Sequence, residues 1–238
     1  MENVTRRTFV SSAAAGITAL GLFEAAGPAV EAQLVWKTSD WKLAEFNKLL
    51  RNSARIKQVY DVVQIGEGKF LNNVKNSLNG LEFGFGVAKE QIKIAVAMHG
   101  PANMLNFDDS MWSKYRIGEW LNLMDPATGK PAARNLFVNS AHAGAGAPLP
   151  SDPSNEASMY QDKSMQALQA RGVQFLSCHT ATEEQARILV RTHKLTQSPE
   201  EVVKDMLTHT VPGVLVVASM VAAIALLQAE GHYTYITL

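Results

Sequence analysis

Short aliphatic runs alternate with segments of helical periodicity along residues 56–236, and this alternation constrains the fold more than any other feature of the chain. In the stretch Phe70–Phe83, apolar residues recur three and four positions apart, which is typical of a helix packed on one face. Consecutive strands separated by helices pair in parallel with the helices on the sheet faces. The sequence therefore predicts a single α/β domain with a mainly parallel sheet of about five strands, taken from Ile56–Val63, Ile92–Met98, Val173–Ser177, and the two runs 211–218 and 231–236.

The apolar section near the C-terminus, residues 211–230, could also be taken for a membrane span. Pro212 and Gly213 interrupt the run, and Gln228 and Glu230 close it. A strand, a buried helix and a further strand explain this pattern better than a continuous span of about 20 apolar residues. We predict no membrane contact once the N-terminal signal described next has been removed.

The N-terminus has the features of an export signal of the twin-arginine type. The run Thr5-Arg6-Arg7-Thr8-Phe9 carries the arginine pair, and a short apolar stretch, Ala13–Phe23, follows it. Val30 and Ala32 are small residues that fit cleavage before Gln33. We interpret residues 1–32 as a signal peptide, which predicts a periplasmic protein exported by the twin-arginine route.

The remaining 206 residues are enough for one substantial core. They carry 20 basic and 19 acidic residues, so the charge balance gives no reason to expect nucleic acid or an anionic membrane surface as a partner. Residues 33–55 are predicted to form a helical lead-in, and residues 56–238 the α/β domain.

Residues 124–158 differ in character from the rest of the domain, being rich in proline, glycine and alanine. Long stretches of this kind inside a compact domain are commonly lids or surface insertions. The segment is therefore predicted to be either a loose surface insertion or a lid that covers the functional site.

Cys178 is the only cysteine of the chain, and it lies where a strand-like run ends and a helix is about to begin. The capping pair Thr180 and Glu183 is predicted to start that helix, which runs to about Lys194. A thiol at the carboxyl end of a strand, facing a helix N-terminus, has the setting in which thiolates are stabilised. A buried, inert cysteine is the alternative.

Four segments, in the same order, resemble the DsrE/DsrF-like sulfur-relay family. The segment Gly172–Cys178 matches its Gly-Val-x-Phe-x-x-Cys pattern. The other three are the paired asparagines of Phe70–Asn76, the strand end Ala97–Pro101, and a C-terminal signature over Val216–Ile224, Leu227–Gly231 and Tyr235-Ile236. The chain departs from the family at Met220, where glycine is common, in the 124–158 segment, and in its export signal.

The resemblance implies a small α/β domain of about five strands that forms homo-oligomers. It also implies that Cys178 carries sulfur as a persulfide and exchanges it with a sulfur donor or acceptor protein, with no further cofactor. His179 is a candidate modulator of the thiol, although neighbouring residues on a strand point to opposite faces. His99, at the end of the adjacent strand, is a second candidate for the same edge.

Two other functions remain open. Cys178, His179, His99 and His232 are ligand types suited to copper or zinc, although their spacing fits no metal motif. In the second alternative, the protein is a non-catalytic oligomeric binding module whose cysteine packs in the core. The turn Gly66-Glu67-Gly68 lacks the third glycine of a dinucleotide fingerprint and is interpreted as a plain turn.

Overall fold

A five-stranded, all-parallel sheet forms the centre of the domain in the computed structural model, which describes residues 41–144 and 147–237. Its strands are β1 (Ile56–Val62), β2 (Ile92–Met98), β5 (Gln174–Cys178), β6 (Leu215–Val217) and β7 (Thr234–Thr237). The strand order is β6-β5-β2-β1-β7. The predicted α/β class with a parallel sheet is confirmed.

Helices cover both faces of this sheet. On one face lie α1 (Leu43–Leu50) and α8 (Met220–Ala229). The other face is covered by α2 (Lys69–Asn79), α3 (Asp109–Lys114), α4 (Ile117–Trp120), α5 (Met165–Ala170), α6 (His179–His193) and α7 (Pro199–Thr208). The proposed signal peptide, residues 1–32, and the first part of the lead-in lie outside the described residues.

Alternate residues of each strand enter two separate apolar cores. Val59, Ala97, Leu176 and Cys178 face α1 and α8, and their neighbours Tyr60, Val96 and Phe175 face the larger helical layer. This two-residue alternation follows from the pleat of the strand. Any side chain at the sheet edge can therefore be assigned to a face from its position.

Helix starts agree with the sequence in one case and differ in another. A serine directly before Pro199 and Glu200 predicts a helix start at Ser198, and Ser198 caps α7, with Pro199 as its first residue. The predicted pair Thr180 and Glu183 is wrong as the start of α6, because Cys178 is the N-cap residue and its sulfur accepts the Ala181 N–H. The Thr180 hydroxyl instead donates to the Ala218 carbonyl at 2.9 Å, since strand β6 passes beside it.

Two helices are shorter than their periodicity suggests. The sequence pattern predicts a helix over residues 158–171, but the helix is reduced to α5, because turns occupy residues 158–164 and Ser164 caps it. The pattern also predicts one helix over residues 110–123, which is divided into α3 and α4 by Arg116, whose φ of 49° ends the first helical segment.

The segment 124–158 is built into the domain. It contains a hairpin of β3 (Met124–Asp125) and β4 (Lys130–Pro131). The Asn135 amide donates to the carbonyls of Leu105 and Phe107 at 2.9 Å each. Ala132 and Phe137 join the core on the α2–α7 face, whereas Cys178 belongs to the other core. These contacts do not support a lid over the cysteine or a loose insertion.

The apolar C-terminal section forms β6, α8 and β7, in the order that the sequence analysis predicts. Among the helices of the described residues, none is long and apolar enough to cross a membrane.

Candidate functional site

Cys178 is the last residue of β5 and the N-cap of α6, so strand and helix meet at its side chain. The strand ends there because the backbone turns directly into the helix, with His179 as its first residue. In open parallel sheets this carboxyl edge is where functional groups gather. The cysteine is a free thiol and only 4% exposed.

The sulfur of Cys178 accepts hydrogen bonds from the first turns of two helices. The Ala181 N–H of α6 lies 3.4 Å from Sγ, and the Met220 N–H of α8 lies 3.3 Å from it. Helix N-termini present unpaired N–H groups and partial positive charge, which favour a negatively charged group. Two such termini therefore converge on one sulfur atom.

Burial acts against these donors. Removal from water raises the pKa of the Cys178 thiol above its ordinary value, and hydrogen bonds from Ala181, Met220 and Thr180 offset part of this effect. The net direction of the pKa shift is upward, so the cysteine is a protonated thiol at neutral pH. Sulfur chemistry at this position requires that the thiol lose its proton and that a reaction partner reach the buried sulfur.

A buried asparagine, Asn103, holds the end of β5 in place through hydrogen bonds. The Asn103 carbonyl oxygen accepts the Cys178 N–H at 2.9 Å and the Ser177 hydroxyl at 3.0 Å. Its amide nitrogen donates to Thr182 and Gln185 of α6. Sequence reasoning missed Asn103, because the 3-10 helix Gly100–Asn106 that carries it has no strong periodic signal. Its role is to fix the strand–helix junction.

His99 follows β2 and forms an acid–base cluster with two residues that the sequence analysis did not select. Its Nε2 lies 2.7 Å from Asp61 Oδ1. The Tyr235 hydroxyl donates to the second oxygen, Asp61 Oδ2, at 2.6 Å. Asp61 is near the end of β1 and Tyr235 is on β7, so their positions on strands were the only signal that could have pointed to them.

The register of the sheet brings His99 close to Cys178. Strands β2 and β5 pair through Met98 and Ser177, so the next residues along the two strands are His99 and Cys178. Adjacent strands are about 5 Å apart, and both side chains continue the series that faces α1 and α8. Asp61 and Tyr235 belong to the same face, because Tyr235 pairs with Val59 of the core on that face.

His179 has different surroundings. Its side chain is 2% exposed, its Nδ1 lies 3.6 Å from Glu183 Oε1, and its ring meets Trp41 edge-on with centroids 5.7 Å apart. These contacts join His179 to α6 and to Trp41. The predicted role of His179 as a modulator of the thiol stays a prediction.

The four residues of the copper or zinc alternative are not brought together. His232 precedes β7 and so lies at the amino edge of the parallel sheet, whereas Cys178 and His99 lie at the carboxyl edge. Within residues 41–144 and 147–237, no group of three or more His, Cys, Asp or Glu side chains could hold a metal ion.

A surface depression of about 440 Å³ also lies at the amino edge, where Lys93 and Gln174 begin their strands. It is lined by both charged and apolar residues, including Lys42, Glu45 and Leu215. The Lys93 ammonium already donates to the Gly172 carbonyl at 2.6 Å. This depression lies at the other end of the strands from Cys178.

Comparison with known proteins supplies no further guide to this site: no protein-family model matches the chain, and no curated protein matches it.

Proposed function

We propose that this protein accepts and passes on sulfane sulfur through a persulfide on Cys178, as the resemblance to the DsrE/DsrF-like sulfur-relay family implies. One observation carries the proposal: the first turns of α6 and α8 both donate N–H groups to the Cys178 sulfur. Such donors stabilise a sulfur anion, which is the form that both accepts sulfane sulfur and leaves when it is passed on.

The exchange needs no net oxidation or reduction. The Cys178 thiolate attacks the outer sulfur of a donor persulfide, the sulfur–sulfur bond of the donor breaks, and the donor leaves as a thiolate with the bonding electrons. Cys178 then holds the sulfur as its own persulfide. The partner is a sulfur donor or acceptor protein that meets the carboxyl edge of the sheet.

Sulfur occupancy tests this function directly. Protein exported by the native host is trapped with iodoacetamide at harvest, and its intact mass is measured with and without reductant. We expect a reducible gain of at least one sulfur atom, which is absent from the Cys178→Ser variant. An unmodified thiol in every growth condition that supplies sulfane sulfur would overturn the proposal.

The burial of Cys178 favours a second candidate, a binding module in which the cysteine is only a core residue. Its 4% exposure and its raised pKa are what a structural cysteine has. Alkylation of the native and the unfolded protein separates the two candidates. A relay cysteine reacts in the native state at a measurable rate, whereas a core cysteine reacts only when the domain unfolds.

We also propose that the protein is a periplasmic homo-oligomer and that α8 contributes to the contact between copies. Val221 is 68% exposed, and Ala222, Ala225 and Leu226 continue its apolar face. Contiguous exposed apolar surface commonly marks an interaction site. Because Val221 follows Met220, this contact would lie beside the cysteine.

A further inference from the structure

The cluster of Asp61, His99 and Tyr235 is a group of titratable side chains on the Cys178 face of the sheet that the sulfur-transfer step has not yet used. The residues come from β1, the end of β2 and β7. With Cys178 on β5, four neighbouring strands each place a reactive or titratable side chain on the same face, and the Tyr235 hydroxyl extends along that face to Asp61.

The hydrogen bonds of the cluster fix the tautomer of His99. An ionised carboxylate can only accept, so Asp61 Oδ1 receives the Nε2–H of His99 over 2.7 Å. The other ring nitrogen, Nδ1, then carries the lone pair and is able to take a proton. A carboxylate that orients an imidazole in this way is the arrangement used by many general bases.

Tyr235 limits the freedom of Asp61. Its hydroxyl donates to Asp61 Oδ2, and this bond, together with burial and the nearby carboxylate charge, raises the pKa of Tyr235. The phenol therefore stays protonated as a donor over the neutral range. Both carboxylate oxygens are occupied, which holds the Asp61 side chain and the imidazole attached to it.

We propose that His99 is the base that removes the proton from Cys178 during sulfur transfer, and that Asp61 and Tyr235 are its positioning residues. This inference rests on the proposed function of Cys178. None of the described hydrogen bonds joins His99 to the sulfur, and the proposal is that the two side chains come within hydrogen-bonding distance when the donor persulfide binds at this edge. Catalytic hydrogen bonds are often long in the unoccupied site and shorten in the reactive complex.

The proton balance of the step is complete. His99 Nδ1 takes the thiol proton as Sγ bonds to the outer sulfur of the donor, and the donor leaves as a thiolate. The imidazolium then returns that proton to the leaving thiolate, so the histidine ends as it began. The reactants are one thiol and one persulfide, and so are the products.

Few other charges reach this cluster. Helix α8 has no titratable side chain. On α1, the exposed side chains of Glu45 and Lys48 form an ion pair with each other at 3.0 Å. The first turn of α6 contributes His179, which faces Glu183. The two partners of His99 are therefore the main polar groups that act on its imidazole.

The test measures the rate of sulfur transfer from glutathione persulfide to purified protein between pH 5 and 9, read by intact mass. We expect His99→Gln to lower the rate at pH 7 by about 100-fold and to change the shape of the pH–rate profile, because the base is lost. Asp61→Asn and Tyr235→Phe should lower the rate by less and also change the profile, because the imidazole remains but loses part of the support that positions it.

The chain offers a matched control on the opposite face. Asp205 also accepts from a tyrosine hydroxyl, that of Tyr115, and lies 3.4 Å from His209 Nδ1. Asp205→Asn disrupts a similar cluster on helix α7, which packs on the other face of the sheet from Cys178, and should leave the profile unchanged. Thermal unfolding of each variant verifies that it is folded.

The outcomes separate the two proposals. Transfer with the same pH–rate profile in Asp61→Asn, His99→Gln and the unaltered protein would overturn the role of His99 and leave the function standing. If the protein accepts no sulfur, the proposed function fails. The role of His99 is then decided by the rate at which iodoacetamide alkylates Cys178 over the same pH range: profiles that change in the His99 and Asp61 variants support it, and identical profiles overturn it.

Discussion

The side chain of Cys178 combines two roles that are usually performed by different residues. It ends a strand as part of an apolar core, and it caps a helix as a hydrogen-bond acceptor. Sulfur is a weak acceptor, so serine, threonine, asparagine and aspartate are the common residues at an N-cap. A cysteine at this position keeps the cap while placing a nucleophile at the sheet edge.

Substitution of Cys178 distinguishes a capping sulfur from a simple core group. Cys178→Ala leaves the Ala181 and Met220 N–H groups without an acceptor, and we expect it to lower the free energy of unfolding by about 1–3 kcal/mol. Cys178→Ser keeps an acceptor and should lose less. Urea denaturation of both variants measures the difference. An alanine variant as stable as the serine variant, or more so, would mean that the N–H contacts contribute little.

At the scale of elements, the segment 124–158 shows how an irregular stretch can be structural. Its hairpin is fixed against α4, because Gly118 of that helix meets the backbone of Ala132 directly. A Cβ atom at Gly118 would lie 2.2 Å from the Ala132 carbonyl oxygen. The glycine is required by this close approach, since backbone atoms cannot move aside as a flexible side chain can.

Gly118→Ala is therefore expected to destabilise the domain by about 1–3 kcal/mol through overpacking against the hairpin. Gly80→Ala is the matched control, because Gly80 has a helical backbone and open space around the added Cβ. That change should be neutral or stabilising by up to about 1 kcal/mol. The midpoint temperatures of thermal unfolding are measured for both variants. Equal midpoints would show that the hairpin shifts away from the added Cβ with no loss of stability.

At the scale of the whole molecule, α8 is unusual in being apolar on its outer face as well as its inner one. Met220, Ala223, Ile224 and Leu227 pack on the sheet, while Val221 and Leu226 remain exposed. A helix that is hydrophobic all round is normally buried on both sides. Contact with a second copy of the chain would complete its burial.

The double variant Val221→Glu and Leu226→Glu should reduce the mass in solution from an oligomer to a monomer, because it places charges in an apolar contact. Size-exclusion chromatography with light scattering measures this. The control Ser113→Glu adds a charge to an exposed position of α3, on the other face, and should leave the mass unchanged. If the unaltered protein already has the mass of a monomer, the proposed contact between copies through α8 is wrong.

The sequence by itself determined the class of fold and the position of the cysteine, because both depend on patterns between near neighbours. The alternation of strands and helices predicted the parallel sheet, and Ser198 was identified as a cap from the residues beside it. The same reasoning failed at Thr180, because its hydroxyl donates to the carbonyl of Ala218, the residue after strand β6, which is distant in the sequence.

Only the tertiary structure decided what surrounds the sulfur. Met220 is 42 residues from Cys178, Asp61 is 38 residues from His99, and Tyr235 is 174 residues from Asp61. These residues meet because the sheet has the strand order β6-β5-β2-β1-β7, with one register for each pair. Hydrophobic periodicity reports which face a residue occupies but not which strands are neighbours, so the second helix N-terminus and the partners of His99 could be found only in the folded chain.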